Sequence, residues 1–143
     1  MDSFQELVRQ FRQHGYKITP QRRAILQVVA DSTTHPTAEQ IYERVSKCRP
    51  ETSLATVYNT LRELVAIDQV YELDLGLGGR RYERSRVAHA HLVCLGCGRI
   101  EDAALDSEAI KVMLSHTDGF SPTLLSVNVF GYCADCAASM DLP

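Results

Sequence analysis

Three observations predict an α+β fold in two parts. Four capped helical patterns lie between residues 3 and 65, a hairpin pattern follows over 70–84, and two Cys-x-x-Cys pairs, Cys94/Cys97 and Cys133/Cys136, flank a short α/β stretch. The boundary is expected at 84/85, giving domains of residues 1–84 and 85–143.

The first helix is expected from Ser3, with Glu6 closing a capping box, through Phe4, Leu7, Val8 and Phe11 to a stop at Gly15. Thr19-Pro20 is an N-cap followed by proline at the first helical position, so a second helix runs to about Asp31 with Ala24, Ile25, Val28 and Val29 inward. Thr37 and Gln40 form another capping box, and Ile41, Tyr42 and Val45 give a short apolar face that ends before Pro50. A fourth helix from Ser53 puts Leu54, Val57, Tyr58, Leu61, Leu64 and Val65 on one stripe, leaving Thr56, Asn59, Thr60 and Arg62 opposite. Residues 70–75 read as a strand, 76–79 as a turn and 80–84 as a returning strand.

Helices followed by a hairpin are the outline of a winged helix-turn-helix, with the fourth helix in the DNA major groove and the hairpin beside the backbone. A polar, weakly charged helix face suits base edges. Lys17, Arg22 and Arg23 near the second helix's start, and Arg80, Arg81 and Arg84 on the hairpin, form the expected phosphate track. Residues 1–84 carry 12 Lys/Arg against 11 Asp/Glu, whereas residues 85–143 carry 3 against 7, so the slight positive balance belongs to the first part. The net charge of −3 argues against an indiscriminately basic nucleic-acid binder.

In the second part, each Cys-x-x-Cys can aim two thiolates at one point, and two together complete the tetrahedral sulfur cage favoured by zinc. Two disulfides are the competing reading, and they need an oxidising compartment. Residues 1–30 show no apolar core with a cleavage site, and no run approaches the ~18 apolar residues of a membrane span, so a cytoplasmic protein without a membrane partner is expected. His89-Ala90-His91-Leu92-Val93-Cys94 alternates as a strand, which turns both imidazoles to one side. Glu83 and Asp102 are nearby carboxylates, and a nitrogen/oxygen donor set suits Fe(II), Mn(II) or Zn(II). A strand over 99–104, a helix over 107–117 ending near Gly119 and a strand over 123–130 complete a small α/β unit. Its core is too small to stand easily alone, so zinc and a second copy pairing along the open edge at Leu124-Leu125 are both expected to support it.

The chain resembles the ferric uptake regulator (Fur) family of bacterial metal-responsive repressors. The matching stretches are Ile18-Thr19-Pro20-Gln21-Arg22, His35-Pro36-Thr37-Ala38-Glu39-Gln40-Ile41-Tyr42, Ala55-Thr56-Val57-Tyr58, Arg81-Tyr82-Glu83, His89 to Cys94 with Cys97-Gly98, and Gly131-Tyr132-Cys133 with Cys136. The resemblance implies a winged-helix DNA-binding domain, a dimerisation domain stapled by structural zinc on Cys94, Cys97, Cys133 and Cys136, and a homodimer on a double-stranded DNA operator. It implies a regulatory Fe(II), Mn(II) or Zn(II) site formed by His35, Glu83, His89, His91 and Asp102. It also implies base contacts from Thr56, Tyr58 and Asn59, with Lys17, Arg22 and Arg62 serving phosphates or the neighbouring groove. A further metal site known in some members is expected to be missing, because Ala88, Ala90 and Leu125 stand where ligands would be. Asn59 replaces a frequent arginine, which implies a different base preference. His35-Pro36-Thr37-Ala38 and Asp102 resemble peroxide sensors and Glu83 resembles iron sensors, while a zinc uptake regulator stays open as an alternative.

Enzymatic readings fare worse. A zinc deaminase needs His-x-Glu, where this chain has His-Ala-His, and two Cys-x-x-Cys pairs favour zinc over thiol redox chemistry. No small-molecule substrate is expected. Cys48 is expected to be a partly buried thiol at a helix end, and His14 and His116 are expected to be surface residues.

Overall fold

The computed structural model describes residues 3–84, 89–106, 118–120 and 126–141, with 108, 112 and 114 between them. The chain divides into two compact units, Met1–Ser85 and Arg86–Pro143.

The first unit holds α1 (Ser3–Gln13), α2 (Pro20–Asp31), α3 (Ala38–Cys48), α4 (Leu54–Ala66), β1 (Tyr71–Leu73) and β2 (Arg81–Glu83). Local chemistry sets the helix starts. Thr19, Thr37 and Ser53 are extended N-caps whose hydroxyls accept the N–H of Arg22, Gln40 and Thr56, and Gln40 returns the bond to complete the box at Thr37. The box expected at Ser3 does not form. Glu6 instead takes hydrogen bonds from Arg9 and Gln10 one turn along, and the Ser3 hydroxyl is taken by Arg84.

Leu7, Phe11, Ile25, Leu26, Ile41, Val45, Val57, Leu61 and Leu64 form the centre of the core. Inward assignments shift in two helices. In α2 Leu26 is buried while Ala24 and Val28 are only half-buried, and Thr60, expected on the presented face of α4, is buried. Its hydroxyl donates to the Thr56 carbonyl at 2.8 Å, which satisfies the polar group inside the helix's own hydrogen-bonding frame. Leu54, Tyr58 and Val65 are half-buried.

β1 and β2 pair antiparallel, Glu72 opposite Tyr82, as the hairpin pattern requires. The return strand is also fastened to the segment before α3: Tyr82 N–H donates to the Pro36 carbonyl at 3.0 Å, and Thr37 bridges Arg81.

The second unit holds β3 (His89–Cys94), β4 (Ile100–Ala104), β5 (Val127–Gly131) and α5 (Ala134–Ser139). The sheet order is β4-β3-β5, with β3 antiparallel to β4 and parallel to β5. The short helix α5, with Cys133 at its N-cap position, is absent from the sequence expectations. Except for 108, 112 and 114, the helix expected over 107–117 lies outside the described residues, as do the Leu124-Leu125 edge, Ala88 and His116. Among the described residues, Val129, Phe130 and Tyr132 are exposed on and just beyond β5. No described helix is long and apolar enough to cross a membrane.

Candidate metal centres and nucleic-acid face

The sulfur site is built from two turns in the second unit. Cys94 ends β3, and Gly98 N–H donates to its carbonyl at 2.9 Å, closing the first knuckle with Gly98 at a positive φ of 76°. Cys133 occupies the N-cap position of α5 without a side-chain cap bond, and Cys136 lies within the helix. The four sulfurs lie within 4.8 Å of one another, and Cys133 N–H donates to Cys94 Sγ at 3.3 Å. Gly96 is a site residue that cysteine spacing cannot reveal: a Cβ there would meet Cys136 Sγ at 2.9 Å, so a side chain would press into the cage.

Electrostatics favour a cation at this point. The N–H groups of Cys133 and Cys97 pull the Cys94 thiol down to about 6. Cys136 is pushed up to about 12, first by hydrogen bonding with Cys133 and Cys94, because clustered thiols cannot all ionise without a compensating charge. Zinc supplies that charge, and a closed all-thiolate set is a structural donor set without an open position for substrate. Arg99 stands by, its guanidinium held more firmly protonated by Cys133 and Cys97, with Asp135 3.5 Å away.

A second donor group lies on β3. His89 and His91 share one face, their Nε2 atoms 3.1 Å apart, and Asp102 Oδ1 on β4 is 3.8 Å from His89 Nε2. Register explains the grouping, since His91 is opposite Asp102 across one strand pair and opposite Asn128 across the other. Asn128 Oδ1 is 3.1 Å from His91 Nδ1. With that oxygen as acceptor, Nδ1 carries the hydrogen and Nε2 keeps the lone pair a metal needs. Asn128 belongs to no local motif and becomes visible only through strand pairing.

In the first unit, His35 Nε2 lies 3.1 Å from Glu83 Oε2. The fastening of β2 to residues 36–37 makes this pair, and Arg81 strengthens it by donating from Nη1 to the His35 carbonyl at 3.1 Å.

The expected nucleic-acid residues frame an open depression lined by Lys17, Arg22, Thr56, Asn59 and Glu63. Lys17 is exposed. Arg22 is more engaged than a phosphate-track residue needs to be: it pairs with Glu63 at 2.9 Å and donates to the Lys17 carbonyl at 3.1 Å, fixing the loop that presents Lys17. Arg62 donates to Asn59 Oδ1 at 3.3 Å, and Tyr58 donates to Glu39. Arg23 lies over the Phe4 ring.

The hairpin arginines depart from the expected track. Arg81 and Arg84 turn inward to the His35 carbonyl and to Ser3, and burial pulls the Arg84 guanidinium below its usual range. Arg80 alone is exposed, paired with Glu72 at 2.8 Å. Cys48 is exposed rather than partly buried, and His14 is exposed as expected.

A sequence profile of the ferric uptake regulator family matches residues 13–130. The peroxide-responsive repressor PerR of Staphylococcus saprophyticus is 36% identical over 133 residues, covering 92% of this chain and 90% of that protein. Its counterpart in Staphylococcus aureus is 37% identical over the same length. Among solved structures, the Helicobacter pylori ferric uptake regulator Fur, which has three functional metal binding sites, is similar with a TM-score of 0.75 at 28% identity, covering 94% of this chain and 91% of that one. PerR from Streptococcus pyogenes gives a TM-score of 0.55 at 33% identity, covering 95% and 94%.

Proposed function

The chain belongs to the ferric uptake regulator family, and from that premise we propose that it is a metal-dependent transcriptional repressor of the peroxide-responsive branch. It is a DNA-binding regulator and not an enzyme. The observation that carries the reading is the presence, in one small unit, of two chemically distinct donor sets: a closed thiolate cage and a histidine/carboxylate group on β3 and β4. The first fits structural zinc and the second suits an exchangeable Fe(II) or Mn(II). The peroxide branch is supported by the relatives named PerR.

In this reading Cys94, Cys97, Cys133 and Cys136 hold zinc, and His89, His91 and Asp102 act with His35 and Glu83 as ligands of one regulatory ion. Such an ion takes donors from both units and so restricts their relative freedom. Two winged helices of a homodimer reach successive major grooves only at a spacing of about one helical turn, so this restriction sets operator affinity, and metal and DNA binding are reciprocally coupled. Lys17, Arg22 and Arg62 serve phosphates or the adjacent groove, while Thr56, Tyr58 and Asn59 face base edges. The exposed strip on and beyond β5 is the surface for a second copy. A repressor of this kind works in the cytoplasm.

When Fe(II) is bound, it supplies the redox chemistry by which peroxide oxidises a ligand histidine. The test is operator binding by Mn(II)-loaded and Fe(II)-loaded protein, using a duplex that the protein selects from a randomised pool. Both forms are expected to bind, and hydrogen peroxide is expected to release only the iron form. Release of neither would move the protein to the iron-sensing branch, and activation by Zn(II) alone at very low free metal would make it a zinc uptake regulator.

Asn128 gives a second check. Asn128→Ala is expected to weaken Mn(II) binding about 10- to 100-fold while tight zinc stays. Unchanged Mn(II) affinity in a competition titration would deny it the orienting role.

A further inference from the structure

Glu39 stands in the first turn of α3 and is not needed for that helix's cap, which Thr37 and Gln40 complete between them. Its carboxylate, beside its own backbone N–H and the Thr37 hydroxyl, also reaches to α4. Tyr58 Oη donates to Glu39 Oε1 at 2.5 Å, a bond that joins the two helices of the helix-turn-helix across 19 residues of sequence. This length belongs to charge-assisted O–H···O⁻ bonds. The charge state agrees: the Tyr58 hydroxyl is the main influence holding the Glu39 carboxyl below its ordinary value, and Glu39 is the main one pushing the Tyr58 phenol above its own.

Two consequences follow for the α4 face. A tyrosine turns about two side-chain bonds, and anchoring its hydroxyl removes much of that freedom before DNA arrives. The phenol also has a single proton. While Glu39 accepts it, Tyr58 has no donor to spend on a phosphate or a base acceptor, and the neighbouring negative charge discourages a phosphate from taking Glu39's place. The ring remains as a fixed apolar plane with a polar tip that can only accept.

We propose that Glu39 is a specificity-determining positioning residue: by accepting the Tyr58 hydroxyl it presents the ring to base edges in one orientation and withholds the hydroxyl as a donor to DNA. This rests on the reading of α4 as the DNA-reading helix.

The test uses the full Mn(II)-loaded chain and measures the ratio of its affinity for the selected duplex to that for random duplex of the same length. Glu39→Ala is expected to lower that ratio about tenfold, the scale of one mismatched base pair. The loss should fall on the selected duplex. Tyr58→Phe, which keeps the ring and the Glu39 charge, is expected to cause a similar loss, and the double variant no more than either single one. Glu39→Gln retains an acceptor for the phenol and is expected to restore most of the ratio, which a general loss of fold would not allow. A wild-type ratio in Glu39→Ala, or additive losses in the double variant, overturns the proposal while leaving the DNA reading standing. If the wild-type chain prefers no duplex from the pool, the DNA reading itself fails and takes the proposal with it.

Discussion

Cys94→Ser is expected to remove the tight zinc and unfold the second unit while the first unit stays folded. The two units differ in what holds them. The helical unit has a core of large buried side chains drawn from all four helices. Among the described residues of the second unit, the buried apolar side chains are Ala90, Val93 and Cys94, and Val129 and Phe130 are half exposed. A structural zinc contributes about 10 to 16 kcal/mol of apparent binding free energy at neutral pH, on the scale of a whole domain's stability. Cys94 is the buried cysteine of the four and the one whose sulfur takes the Cys133 N–H, so serine there loses a ligand and a link between the knuckles. Zinc analysis with limited proteolysis checks this. A variant that keeps one zinc per chain and resists cleavage beyond residue 86 would refute the cage as the support of this unit.

His91→Ala is expected to abolish metal-stimulated operator binding, with Mn(II) affinity falling by at least about a hundredfold, and to leave the zinc in place. His91 is 2% exposed and lies between Asp102 and Asn128 in register, so its removal takes out a ligand and leaves Asn128 without its ring partner. That orphaned bond costs about 1 to 3 kcal/mol, well below what zinc contributes, so the fold survives. Zinc content and operator binding against free Mn(II) are measured on the same preparation. Loss of the zinc would break the division into two sites, and an undiminished Mn(II) response would remove His91 from the regulatory set.

Much of this was readable along the chain because the signals are local. Thr19-Pro20, Thr37 with Gln40, and Ser53 each satisfy helix-start N–H groups from within one turn, so residue types a few positions apart suffice to place α2, α3 and α4. A Cys-x-x-Cys knuckle and a His-x-His strand are local in the same way, their side chains brought together by a turn or by alternation. Ser3 and Glu6 show the limit, since the same local pattern was outcompeted by Arg9, Gln10 and Arg84.

Residue order and spacing were therefore enough for the helix starts, the sulfur cage and the paired imidazoles. Packing alone settled how they are supported: Thr60 is buried because its hydroxyl closes on Thr56, Arg81 and Arg84 turn inward because β2 is fastened to residues 36–37 and α1, and Gly96 is required by Cys136. The bonds from Asn128 to His91 and from Tyr58 to Glu39 join positions 37 and 19 residues apart. Hydrogen bonds need alignment to within a few tenths of an ångström, and across such separations only the folded arrangement of strands and helices supplies it.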